Sequence, residues 1–153
     1  MATRARIGIA LDNGNTSSIY SHWDNYPIHN GAILLLYYNS EDRVRELLSH
    51  GNMSSLGVKT GGDVPHEFYS REHNKIGFPS VCTFYHRDRG DSLCPAVEMT
   101  RKEMIHEEQF SYLWKDGKWW YSGCGTNRFY PLGDKRCHIT KKMRKAVKEE
   151  LGE

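Results

Sequence analysis

The sequence predicts an α+β fold: a mainly antiparallel sheet, built from two hairpins and a central strand, packed with three or four helices. Two turn signals, Asp-Asn-Gly-Asn and Asp-Gly, each lie between β-prone segments and predict the hairpins. Helix-start residues precede apolar segments, and no strand–helix–strand series favours a parallel sheet. The chain of 153 residues is close to a common domain size, so we expect one domain, 1–153.

The first third of the chain predicts a hairpin followed by two helices. Residues 6–11 and 16–21 alternate around β-prone side chains and form the hairpin. The apolar run in residues 28–38 is typical of a buried helix. Ser40 is a suitable N-cap for a second helix over residues 41–50.

The middle of the chain predicts a long loop and the central strand. Residues 52–56 are Ser-rich and turn-like, and residues 57–77 are polar with two adjacent glycines, which predicts a loop. Residues 78–86 contain β-branched and aromatic side chains and predict the central strand. A charged turn over residues 87–91 then follows.

The last third predicts a helix, the second hairpin and a basic C-terminal helix. Thr100 and Glu103 have the spacing of a capping box, which predicts a helix over residues 101–108. The second hairpin joins residues 110–114 to 118–121 across Asp-Gly, and residues 141–151 form the basic helix.

Charge and cysteine content exclude several classes. Lys and Arg number 21 against 19 Asp and Glu, so nucleic acid is an unlikely partner. No apolar run approaches a membrane span or a signal core, which predicts a cytosolic protein with no membrane partner. The four cysteines lack C-x-x-C spacing, so we expect packed thiols, no metal and no cofactor. The alternative is a metal site at Cys124, Cys137 and His138.

The segment His-Trp-Asp-Asn-Tyr-Pro is the first candidate site, because it lies where a strand gives way to a helix. Asp24 can hold the imidazole of His22 in one tautomer, while Trp23 and Tyr26 offer flat faces for stacking a ring. The alternative is structural: both aromatic residues anchor the core, and the polar pair satisfies backbone groups.

The second candidate site follows the predicted central strand. Arg87 and Arg89 suit an anionic ligand, because guanidinium groups bind phosphate oxygens in pairs. Tyr85 and His86 precede them, and Asp88 would orient the arginines. The alternative is a solvated, ion-paired turn.

Together the two segments predict a ligand site if their strands are neighbours in the sheet. His22 and His86 would then face one cavity beside aromatic rings and arginines. Such a set binds a small nucleotide-like ligand, the function we favour. With in-line geometry, the two histidines would instead act as acid and base of a metal-independent phosphodiesterase on cyclic nucleotides.

The chain resembles a largely uncharacterised family of small phage-encoded proteins whose motifs are T-R-S-x-I-G, H-W-D-G-Y-P and R-D-R-G-E. The counterparts of these motifs in this chain are residues 3–8, 22–27 and 87–91, and the chain departs from the motifs at Ala5, Asn25 and Asp91. The resemblance covers about the first 90 residues and implies a viral protein in the host cytoplasm. By analogy with other phage accessory proteins, it implies capture of a nucleotide second messenger of host immunity.

The second hairpin carries Trp119 and Trp120, which point to opposite faces of a regular strand. One of them therefore lies outside the core and needs a cover, for which a homo-oligomer is the simplest solution. The same aromatic surface suggests another function, inhibition of a host defence protein by direct binding.

Overall fold

The computed structural model describes residues 2–61, 79, 81–123, 125–132 and 145. In this part of the chain one mixed sheet contains β1 Ala5–Ala10, β2 Thr16–Ser21, β3 Met53–Ser55, β4 Thr83–Phe84, β5 Val97–Met99, β6 Phe110–Lys115, β7 Lys118–Gly123 and β8 Tyr130–Pro131. The described α-helices are α1 Ala32–Tyr37, α2 Glu41–Ser49, α3 Tyr85–Arg89 and α4 Arg101–Glu107. The predicted α+β class is confirmed.

The strand order is β4-β3-β2-β1-β6-β7-β8, and β5 also pairs with β2. Most pairs are antiparallel, but β1 pairs in parallel with β6 and β2 in parallel with β3. Both predicted hairpins are confirmed as the antiparallel pairs β1–β2 and β6–β7. The sheet is thus mixed, because segments distant in the chain bring two parallel pairs into it.

The two predicted early helices are confirmed and cover one face of the sheet. A π-helical turn, Pro27–Gly31, leads directly into α1. The hydroxyl of Ser40 accepts a hydrogen bond from the Arg43 N–H and so caps α2. Side chains from both helices and the inner sheet face form one core, which includes Ile7, Ile19, Ile33, Leu34, Val44 and Tyr112.

Helix α4 lies on the opposite face of the sheet. Thr100 and Glu103 form the predicted capping box at its start. The hydroxyl of Ser111, which alternates with the core residue Tyr112, donates to the Met104 carbonyl of α4. The sheet therefore has helices on both faces, and α4 lies beside the second hairpin.

The predicted central strand is wrong. Only Thr83–Phe84 of residues 78–86 is a strand among the described positions, and it lies at the end of the strand order. The chain becomes helical at Tyr85 because the Asp88 carboxylate accepts the Phe84 N–H at 2.8 Å, and Gly90 ends the helix at a φ of 73°. The turn predicted for 87–91 is therefore largely helix α3.

The turn-like reading of residues 52–56 is also wrong, because Met53–Ser55 is strand β3, paired with β2 and β4. Strands β5 and β8 were not predicted. Of the predicted 57–77 loop, the structure describes only residues 57–61, and of the 141–151 helix only Lys145, which is helical. The remainder of both lies outside the described residues, as do Cys124, Cys137 and His138. No helix in the described part is long and apolar enough to cross a membrane.

Candidate functional site

The two segments predicted to form a site leave the sheet from the same row. Ser21 pairs with Met53, and Met53 pairs with Phe84. Strands β2 and β4 run in opposite directions, since β3 is parallel to the first and antiparallel to the second. The chain after His22 therefore continues along β3, whereas the chain after Phe84 departs the other way. The two segments predicted to form one site therefore leave the paired residues Ser21, Met53 and Phe84 in opposite directions.

The loop after β2 is held in place by hydrogen bonds of two asparagine side chains. The Asn25 amide donates to the carbonyls of Thr3 and Ser21, and the Asn30 amide donates to Trp23 O and Asn25 Oδ1. Asp24 takes a left-handed φ of 60°, which this network supports. The Asn25 side chain is buried, and its hydrogen bonds hold the loop together. The phage family that the chain resembles has Gly at this position.

The aromatic side chains of this loop are exposed. Trp23 is 44% exposed and Tyr26 is 36% exposed, so neither is a core anchor. The hydroxyl of Tyr26 donates to Asp24 at 3.4 Å. Both rings thus lie at the surface of this loop, where Trp23 contacts the His22 ring and Tyr26 contacts the His29 ring.

His22 has a different partner from the one expected. Its Nδ1 lies 2.5 Å from the Tyr20 hydroxyl, whereas Asp24 contacts Tyr26. Burial raises the pKa of Tyr20, and nearby Arg4 opposes that shift. Burial also raises the pKa of the Glu108 carboxyl, and the positive charge of Arg4 acts in the opposite direction. The Tyr20 hydroxyl, which keeps its proton, therefore orients the His22 ring through Nδ1. The second ring nitrogen, Nε2, takes no part in this contact.

Arg87 in the second segment is directed into the protein. Its guanidinium donates to Thr60 O at 2.6 Å and to Cys82 O at 3.2 Å, and it pairs with Asp88 at 3.0 Å. It also lies over the Phe84 ring, 4.9 Å from the centroid. We name this set of contacts the Arg87 latch, because it fixes α3 to the chain at residues 60 and 82.

The remaining residues of the second segment lie at the surface. The guanidinium of Arg89 lies over the Tyr85 ring at 5.5 Å. His86 is exposed, and its Nδ1 is 2.7 Å from the Asp91 carbonyl. Neither contact joins His86 to His22, and no described hydrogen bond links the two predicted catalytic groups.

A groove that the sequence did not predict lies between α4, the second hairpin and residues 127–129. Its volume is about 620 Å³. The lining residues are Arg101, Lys102, Ile105, His106, Leu113, Lys115, Trp120, Asn127, Arg128 and Phe129. Its described lining contains four permanent cations, the rings of Trp120 and Phe129 and no carboxylate, a composition that suits an anionic ligand bearing a ring.

One of the four cations of this groove, Lys115, is paired within the protein, with Asp116 at 3.6 Å, whereas the other three have no such partner among the described residues. Arg101, Lys102 and Arg128 form no ion pair with any part of the chain that the structure describes. The Nε of Arg101 is buried and has no hydrogen-bond partner among the described residues. A buried donor without an acceptor is uncommon in proteins and requires an explanation.

The Trp120 ring contacts two lysines, of which Lys115 lines the groove. The ammonium of Lys115 lies 5.1 Å from the indole centroid, and that of Lys118 lies 4.6 Å away. The indole N–H donates to the Lys115 carbonyl at 3.0 Å. As predicted, Trp119 is buried and Trp120 lies on the other face, where these contacts cover part of its ring. The homo-oligomer stays a prediction.

A smaller cavity of about 270 Å³ adjoins the groove and shares Ile105, His106 and Asn127 with it. Its other lining residues are Glu108, Gln109, Gly123, Gly125 and Thr126. The hydroxyl of Thr126 accepts the Gly123 N–H and shapes this wall. The two cavities therefore lie side by side and have chemically different linings, and we refer to the pair as the elongated groove.

The one sequence signal for this groove was the outward-facing Trp120, which required a cover. The cations come from three separate segments of the chain, so no local motif brings them together. Within the described residues, no group of three His, Cys, Asp or Glu side chains could hold a metal ion. Cys82 is buried, but Cys94 is exposed and does not pack as predicted. Comparison with known proteins finds no matching family model, no curated relative and no similar solved structure.

Proposed function

We propose that this protein binds a small anionic, nucleotide-like ligand in the groove between α4 and the second hairpin. The observation that carries the proposal is the set of groove-lining cations Arg101, Lys102 and Arg128, which form no ion pair with the described residues. A bound phosphate would pair with these groups, and a charge-assisted hydrogen bond is stronger than a neutral one. The proposal keeps the ligand class predicted from the sequence and assigns it to a different place.

The groove has the size and the aromatic content for such a ligand. Its volume of about 620 Å³ lies within the usual range for small-molecule sites. The half-buried Phe129 ring and the indole of Trp120 line it. Stacking of a nucleobase on an aromatic ring contributes about 1–3 kcal/mol.

The biological role we propose is sequestration of a host nucleotide signal in the host cytoplasm. Its support is the resemblance to phage proteins in residues 3–8, 22–27 and 87–91. Sequestration needs a fitting groove but no reacting groups in line, so its chemical demands are modest. Recovery of an intact nucleotide after heating the purified protein would agree with capture, whereas altered products would indicate catalysis.

A second candidate function is phosphodiester cleavage with His22 as acid or base. It is favoured by the 2.5 Å contact between the Tyr20 hydroxyl and His22 Nδ1, which fixes the ring's orientation. This function predicts turnover of cyclic nucleotides in EDTA that His22→Ala and Tyr20→Phe both reduce. Turnover that both variants leave unchanged would exclude His22 from any such reaction.

Binding at the groove is tested by a matched pair of arginine variants. Titration calorimetry with nucleoside phosphates is carried out on the parent protein, Arg128→Ala and Arg89→Ala. Arg128 lines the groove, whereas Arg89 belongs to the segment predicted from the sequence. We expect about tenfold weaker binding for Arg128→Ala and parent affinity for Arg89→Ala. The reverse pattern would return the site to α3, and no binding by the parent protein would refute the proposal.

A further inference from the structure

Among the residues that the structure describes, the permanent cations that line the elongated groove lie at one end. Arg101, Lys102, Lys115 and Arg128 line the larger cavity, and none of them lines the smaller one. We call the larger cavity the cationic end and the smaller one the polar end. Ile105, His106 and Asn127 line both, so one ligand can extend from end to end.

The polar end suits an uncharged, flat group. Gly125 forms part of its wall without a side chain and has open space where a Cβ would lie, which allows a ring to approach the backbone. Gly123 lines it with backbone alone, because its Cβ position points into the core, against the Tyr121 hydroxyl and the Phe110 ring. The Asn127 amide carries donor and acceptor groups, as recognition of a base or sugar requires, while the Gln109 amide offers its N–H donors, since its Oε1 accepts the Arg4 N–H at 3.1 Å.

The polar end also disfavours phosphate. Among the described lining residues, Glu108 is the one carboxylate and none is a permanent cation, although Arg4 and Arg6 act on this carboxylate from outside the lining. A phosphate placed at this end would lose the four cations and gain a like charge. The groove therefore distinguishes the two ends of an asymmetric ligand.

We infer that the ligand is a linear nucleoside polyphosphate, with its phosphate chain at the cationic end and its base and sugar at the polar end. This inference rests on the proposed function, because it assumes that the groove binds a nucleotide. A linear polyphosphate concentrates several negative charges in one short chain, which four clustered cations match. A cyclic dinucleotide carries single charges on two separated phosphates and a base on each side. It would leave part of the cationic end unpaired and place a phosphate toward Glu108.

The test compares ligands on the full chain by titration calorimetry. The probes are adenosine and guanosine triphosphates, the two matching cyclic dinucleotides, inorganic tripolyphosphate and the free nucleosides. We expect at least one triphosphate to bind about tenfold or more tightly than its cyclic dinucleotide, and tripolyphosphate to compete for the site. Equal or tighter binding of the cyclic dinucleotide would overturn the inference and leave the proposed function intact. Failure of every probe to bind would refute the proposed function itself.

Two variants then assign the ends. Lys102→Glu reverses a charge at the cationic end, and we expect it to weaken triphosphate and tripolyphosphate by a similar factor of about ten. Gln109→Trp fills the polar end, and we expect it to weaken the triphosphate while tripolyphosphate keeps its parent affinity. Circular dichroism checks that both variants fold. A Gln109→Trp protein that binds the triphosphate as tightly as the parent would overturn the placement of the base.

Discussion

Two arginine-bearing regions of this protein look alike in composition and differ in what their charges contact. In α3, Arg87 donates to two backbone carbonyls and pairs with Asp88, so its binding capacity is used within the protein. In the groove, Arg101 keeps a buried Nε without an acceptor, and Arg128 pairs with no described carboxylate. Hydrogen-bond accounting therefore separates structural arginines from candidate ligand-binding ones, where local composition does not.

The largest expected effect concerns the Arg87 latch. We predict that Arg87→Ala lowers the free energy of unfolding by about 3 kcal/mol, because Asp88 loses its paired cation and two backbone carbonyls lose a donor, although the Phe84 N–H still binds Asp88. Asp88 is only 9% exposed, so water solvates it poorly after the change. Urea unfolding with an unchanged m-value measures the effect. A loss below about 0.5 kcal/mol would show that the latch is a surface contact of little energetic weight.

A second prediction concerns the buried thiol next to this latch. Burial raises the pKa of Cys82 from 9.0 to about 11, with the Tyr38 hydroxyl and the Gly57 N–H acting against that shift. The folded pKa is the higher one, so the thiol favours folding fully below pH 9, and this contribution is lost as pH rises to about 11. Two pKa units correspond to about 2–3 kcal/mol.

The measurement for Cys82 is urea unfolding at a series of pH values between 8 and 11, on the parent and on Cys82→Ala. We expect the parent to lose stability more steeply over this range than the variant, which has no thiol at this position. Parallel curves for the two proteins would contradict the burial argument. Cys82 does not line the groove, so we expect Cys82→Ala to bind nucleotide with the affinity of the parent protein.

Local signals predicted the elements whose residues are neighbours in the chain. The turns that join β1 to β2 and β6 to β7, and the caps at Ser40 and Thr100, act within a few residues, so the pattern alone was sufficient. The central strand failed because Asp88, four residues ahead, captures the Phe84 N–H and starts a helix within a β-prone run. The parallel pairing of β1 with β6 joins residues about 100 positions apart, which no local pattern specifies.

The candidate site follows the same rule. The segments around His22 and Arg87 were conspicuous because their polar and aromatic residues are adjacent in the chain. The groove draws one wall from α4, another from the β6–β7 hairpin and a third from residues 127–129. Only the tertiary pairing of β6 and β7 and the packing of α4 bring these together. A site built from distant segments leaves little trace in any single window of sequence.

A third prediction separates stability from binding within the groove. Arg101→Met removes a buried donor that has no described acceptor, so we expect the free energy of unfolding to rise by about 1 kcal/mol without ligand. The same change removes a phosphate contact, so nucleotide should stabilise the variant less than the parent. Thermal unfolding with and without nucleoside triphosphate measures both effects. Loss of stability without ligand would show that the Arg101 guanidinium is satisfied in the folded protein.

The smallest expected effect is that of Arg89→Ala. Arg89 is exposed, and its one described contact is the Tyr85 ring at 5.5 Å, which at an exposed site contributes about 0.5–1 kcal/mol. We predict a change within about 1 kcal/mol in unfolding free energy and no change in nucleotide affinity. Arg87→Ala is the matched comparison, because the two arginines lie two residues apart on one short helix and differ in what they contact. If Arg89→Ala proved as destabilising as Arg87→Ala, hydrogen-bond accounting would not distinguish the two arginines. If it instead weakened nucleotide binding, the ligand would contact α3, and the segment singled out from the sequence would belong to the site.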